Sequence, residues 1–180
     1  MNGRPLYSSL FGLIPALALS ACAQAESTSQ GRAIYAPLES DQQQQALLPT
    51  LFVANKRGNT LSKVSLLSGE EVQRVDSCIN PHELATSPGG QWVALACYGG
   101  TTVDIFSVDD LSKAASIELG ENARPHGIVW HEDGSIYVTA EGRQSIFRIE
   151  NLITDKLFGE ARLTEFATGK EGSHMIAVAP

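Results

Sequence analysis

The sequence predicts an all-β fold, a β-propeller of four-stranded antiparallel blades with material for about three of them. Three observations carry this. Short runs rich in β-branched and aromatic residues recur at a period of 42–48 residues, each followed within a few residues by glycine. A histidine closes every repeat unit. No stretch shows the apolar 3.6-residue periodicity that helical repeats of similar length require, and turn residues return every 8–12 residues instead. With 43% hydrophobic and 18% charged residues, a core can be buried and wholesale disorder is excluded. The net charge of −7 argues against nucleic acid as a partner, because binding a polyanion depends on clustered cations that release its counterions.

From the N-terminus, Arg4 precedes an uncharged, mostly apolar stretch from Leu10 to Ala23, the layout of an export signal. At roughly 14 residues it is too short to span a bilayer, which takes about 20. Its end, Leu19-Ser20-Ala21-Cys22, resembles the bacterial lipobox, so residues 1–21 are expected to be a lipoprotein signal peptide and Cys22 the lipidated residue. Cleavage after Ala23-Gln24-Ala25 is the alternative, and would leave a soluble periplasmic or secreted protein. Residues 22–48, polar and carrying the run Gln42-Gln43-Gln44-Gln45, read as a flexible tether, with Ala33-Ile34-Tyr35-Ala36 as a stray strand. The membrane is expected to be met through the lipid anchor only.

Residues 49–180 hold the repeats. Leu51-Phe52-Val53-Ala54-Asn55, Val93-Ala94-Leu95-Ala96-Cys97 and Tyr137-Val138-Thr139-Ala140-Glu141 align on their alanines as equivalent strands. A second strand follows each, at Thr60-Leu61-Ser62, Thr102-Val103-Asp104 and Ser145-Ile146-Phe147, and a turn and a third strand come next. The closing strands are Pro81-His82-Glu83-Leu84, Pro125-His126-Gly127-Ile128 and Ser173-His174-Met175-Ile176. Two of these run into turns, Ser87-Pro88-Gly89-Gly90 and His131-Glu132-Asp133-Gly134, before the next strand. Trp92 and Trp130 beside those turns read as inter-blade packing.

These segments resemble the YVTN-type β-propeller repeat family, specifically its periplasmic YncE-like members. The resemblance covers residues 49–180 and bears on fold more than on activity, since unrelated functions are mounted on this architecture. It implies a ring of about seven blades. The last unit stops at Pro180, so the chain is expected to be part of a longer protein, with blades supplied by other chains as the alternative.

With the histidine-bearing strand innermost, its start and the end of the next strand lie on one face of the disc. His82, His126 and His174 then share a rim with Asn55, Cys97 and Glu141, and Arg124 and Tyr98 complete the channel mouth. His82, His126, His174, Arg124, Asn55 and Glu141 are the candidate ligand-binding residues, and Glu141 with His126 the candidate acid/base pair. Two readings of the histidines stand. They bind a metal, a haem-like group or an anion, or they hydrogen-bond the neighbouring blade and are architecture. Because adjacent blades diverge, three equivalent histidines need not converge to metal-bond distances. No cofactor is otherwise indicated. Cys78 and Cys97 belong to one blade neighbourhood, and a disulfide or two buried thiols both fit.

No phosphate-binding loop, nucleophile elbow or zinc-protease motif occurs. The function expected is an exported, lipid-anchored binding module that presents its channel face to a small ligand or a partner protein. The alternative is a propeller enzyme of lactonase or lyase type. Lipidation has a direct test: labelled palmitate should enter the protein in its host, and Cys22→Ala should abolish the label.

Overall fold

The computed structural model describes residues 49–152 and 161–179. The expected signal segment, the tether, Cys22 and Ala33-Ile34-Tyr35-Ala36 lie outside them. Eleven strands run through the described residues, and no α-helix occurs among them: β1 (Thr50–Asn55), β2 (Thr60–Ser65), β3 (Glu71–Asp76), β4 (Pro81–Thr86), β5 (Trp92–Cys97), β6 (Thr102–Ser107), β7 (Lys113–Glu118), β8 (Pro125–Trp130), β9 (Ile136–Ala140), β10 (Ser145–Glu150) and β11 (Arg162–Ala167). One 3₁₀ turn, Glu141–Arg143, links β9 to β10.

The strands form antiparallel meanders, β4-β5-β6-β7 and β8-β9-β10-β11, together with a three-stranded sheet, β1-β2-β3. Each sheet is a propeller blade. In the first, no described residue takes the place beside β1 that β4 and β8 fill in the other two. The turns before β5 and β9 close by Gly90 N–H to Ser87 O and Gly134 N–H to His131 O. Both glycines have positive φ, 71° and 86°, a conformation that costs a residue with a Cβ.

Side chains of a strand alternate between faces, so a blade between two others must be apolar on both. β5, Trp-Val-Ala-Leu-Ala-Cys, meets that demand and is almost wholly buried. Its Ala94 and Ala96 join Val103, Ile105, Ile136, Val138, Phe147 and Ile149 in the core between the second and third blades. Leu95 and Phe106 face the other way, with Leu61 and Leu111, and pack against Phe52, Ala54 and Val75 of the first blade. Trp130 lies in the larger core and Trp92 packs against it. The outermost strands β3, β7 and β11 are mostly exposed and carry charges, which discourages edge-to-edge pairing.

The last expected inner strand differs. Ser173 to Ile176 forms no ladder. It lies along β8, joined by Gly127 N–H to His174 O at 3.0 Å, and no described strand flanks it on the other side.

The packing predicts an asymmetry between two phenylalanines. Phe106 is 1% exposed and Phe166 50%. Phe106→Ala should cost about 3–5 kcal/mol in denaturant unfolding, whereas Phe166→Ala should cost under about 1 kcal/mol.

Candidate functional site

Each complete blade opens its innermost strand with the same irregularity. Pro81 pairs with Cys97, but the next pair is Leu84 with Leu95, so His82 and Glu83 together oppose Ala96. In the third blade Pro125 pairs with Ala140 and Ile128 with Val138, leaving His126 and Gly127 opposite Thr139. Two residues against one is a β-bulge, which turns side chains out of the regular alternation. The prolines suit a strand's first position, where no ladder donor is needed. Before them, Asn80 and Arg124 both take left-handed backbone conformations, φ 51° and 49°.

The bulges bring His82 and His126 together, and His174 joins them from the segment along β8, whereas diverging blades alone did not require the three to converge. Ring centroids lie 3.6 Å apart for His82 and His126 and again 3.6 Å for His126 and His174, with His82 and His174 at 6.4 Å. His126, at the centre, is 2% exposed. Two carboxylates flank the column. Glu83 Oε1 is 3.7 Å from His126 Nδ1, and Glu141 Oε1 is 3.6 Å from His174 Nδ1. Glu141, expected to pair with His126, acts on it through charge, while its nearest imidazole nitrogen is that of His174. His82 Nδ1, His126 Nδ1 and Glu141 Oε2 are buried without a hydrogen-bond partner.

The electrostatics follow from the crowding. Burial, then the neighbouring His82 and His174, lowers His126 to about 4, so at neutral pH it is an uncharged imidazole. Burial and Lys56 lower His82 as well. The Tyr98 hydroxyl, with help from His174, His126 and Arg124, holds Glu141 below its ordinary range, and Glu141 in turn raises Tyr98.

Tyr98 organises the cationic side. Its ring centroid lies 5.4 Å from those of both His82 and His126. Arg124 donates to its hydroxyl and stacks over its ring at 4.6 Å, and Lys56 Nζ stands 5.4 Å from the ring centroid. An open cleft of about 380 Å³ adjoins, lined by Asn80, Tyr98, Gly99, Gly100, Thr101, Asn122 and Arg124.

Not every expected rim residue joins. The Asn55 amide is committed to its own hairpin, donating to Thr60 Oγ1 and Ser62 Oγ at 3.0 and 2.7 Å. Cys97 is disulfide-bonded to Cys78, Cα to Cα 5.6 Å. The reason is a register difference. Ala54, Ala96 and Thr139 pair with Leu61, Val103 and Ile146, so these three are the equivalent positions and Ala140 stands one step further on. The turn before β9 is a residue shorter than the one before β5: His131 N–H bonds Ser135 O, whereas Ser87 N–H bonds Trp92 O. Asn55, Cys97 and Ala140 then form one set, and Lys56, Tyr98 and Glu141 the next. That second set surrounds the histidines. Lys56 is found by aligning the units on the residue after each strand, whereas Glu83 comes to the site only through the bulge, which the sequence pattern does not show.

The third histidine is seated by a hydrogen-bond node. The Thr139 hydroxyl accepts from Gly127 N–H and donates to His174 O, both at 2.8 Å. A Cβ on Gly127 would lie 2.5 Å from that same carbonyl oxygen.

No protein-family pattern and no curated protein matches the chain. Solved structures do. Hydrazine synthase of Kuenenia stuttgartiensis is 21% identical, with a TM-score of 0.60 over 70% of this chain and 34% of that one. Virginiamycin B lyase from Staphylococcus aureus is 12% identical, with a TM-score of 0.56 over 70% and 41%. A proposed 6-phosphogluconolactonase of Bacteroides fragilis is 20% identical, with a TM-score of 0.52 over 65% and 34%. The chain thus spans about a third to two fifths of these relatives, and at such identities the likeness shows the propeller-type fold alone.

The node predicts that Gly127→Ala unseats His174. The variant should lose about 1–3 kcal/mol in denaturant unfolding, and residues 173–176 should exchange their amide hydrogens faster than in the parent protein.

Proposed function

We propose that this face is a ligand-binding site and that the protein is an exported binding module, anchored through Cys22 and held off the membrane by residues 22–48. Its ligand is small and anionic. The observation that carries the reading is the convergence of His82, His126 and His174 beside a cleft that, among the described residues, has Arg124 as its one charged lining residue. A neutral imidazole column offers hydrogen-bonding nitrogens without adding charge, and a guanidinium positioned by a tyrosine suits the two oxygens of a carboxylate or phosphate. The YVTN-type, YncE-like resemblance and a periplasmic location belong to the same reading, supported by the lipobox-like Leu19-Ser20-Ala21-Cys22.

A lyase or lactonase is the second reading. One observation favours it. Glu141, Tyr98 and His174 sit together as an acid/base group, and a histidine-to-alanine form of virginiamycin B lyase is catalytically inactive. A binding module should turn over neither lactones nor quinupristin. Turnover that Glu141→Gln abolishes would replace the first reading with the second.

The binding reading is tested by titrating the full-length protein with citrate and with inorganic phosphate while recording backbone amide shifts. One of the two anions should move Gly99, Gly100 and Thr101 saturably, and Arg124→Gln should weaken that binding by about tenfold or more. Absence of saturable shifts with both anions would refute it.

A further inference from the structure

We propose that His82, Glu83 and His126 form a binding site for one divalent first-row metal ion, with zinc as its probe. The proposal deepens the reading of this face as a binding site. One ligand atom from each of the three residues lies within 4.8 Å of the other two. A tetrahedral ion with bonds near 2.1 Å sets its donors roughly 3.4 Å apart, and His126 Nδ1 and Glu83 Oε1 stand 3.7 Å apart. At that separation the two atoms make no hydrogen bond to each other. His82 Nδ1 and His126 Nδ1 are both buried and unpartnered, which is costly for a polar atom unless something occupies the space between. Two imidazole nitrogens and a carboxylate oxygen are a donor set that first-row divalent ions accept, with one position left for water or an anionic ligand.

The bulge supplies the geometry. His82 and Glu83 are consecutive, and in a regular strand they would point to opposite faces. Sharing one place in the ladder opposite Ala96, both reach His126. His174 stands outside the set: it is half exposed, its ring is 6.4 Å from that of His82, and its Nδ1 faces Glu141. A second cluster of metal-ligating residues among the described residues does not compete. Cys78 and Cys97 are bonded to each other, and Asp104 is held by Lys113 at 2.7 Å and by Thr102 and Ser116.

The test is zinc titration of chelator-stripped full-length protein by calorimetry, with cobalt(II) substitution as a spectroscopic readout. One zinc ion should bind per chain, and cobalt should show the intense visible bands of a four-coordinate ion. Glu83→Gln and His126→Gln should each weaken zinc binding by more than about tenfold and remove the cobalt bands, with unchanged far-ultraviolet dichroism for the part-exposed Glu83 variant. His131→Gln, a histidine paired with Asp133 elsewhere, should change neither. No zinc binding, or binding that Glu83→Gln leaves intact, or binding that His131→Gln removes, would overturn the site. The anion titration reads the amides of Gly99 to Thr101 with Arg124 as its variant, so either reading can fail without the other.

Discussion

Two residues of β4 face one of β5, and two of β8 face one of β9. This repeated bulge is the constraint on which the rest of the face depends. A regular inner strand would send His82 and Glu83 to opposite sides, and the imidazoles would sit apart like any equivalent side chains on diverging blades. With the extra residue, His126 lies between two rings at 3.6 Å and faces Glu83. The prolines and the left-handed residues before them place each bulge at the first turn of the strand, at the rim of the blade.

Each bulge is fastened beside its base, by different chemistry in the two blades. Cys78, three residues before Pro81, is bonded to Cys97, the partner of Pro81 in the ladder. In the chain-entropy view a crosslink closing a loop of this size is worth about 3 kcal/mol. The third blade has Asn122 in the matching place, three residues before Pro125, and its amide donates to Gly142 O at 2.8 Å. Gly142 leaves no room for a side chain there, since a Cβ would meet Asn122 O. A covalent clasp and a hydrogen-bonded close approach thus hold the same corner.

Much of this was readable beforehand. The period and the strand types follow from alternation and turn residues, because those depend on local pattern. The common rim of His82, His126, His174, Arg124 and Glu141 follows from blade topology. What pattern could not supply was register. Aligning Ala140 with Ala96 is natural by residue type, yet the turn before β9 is one residue shorter and the ladder matches Ala96 to Thr139. A one-residue slip changes which side chain faces the site, so Asn55 stood where Lys56 belongs. The bulge was hidden for a related reason: Pro-His-Glu and Pro-His-Gly look like ordinary strand starts until their partners are known.

The bulges of β4 and β8, with the segment that lies along β8, gather three imidazoles into one column. Histidine-selective isotope labelling of the full-length protein permits a direct measurement of nuclear Overhauser contacts between imidazole ring protons. Contacts are expected from His126 to both His82 and His174, each lost in the matching His→Gln variant. A folded protein whose His126 ring protons show no contact to either neighbour would contradict this arrangement.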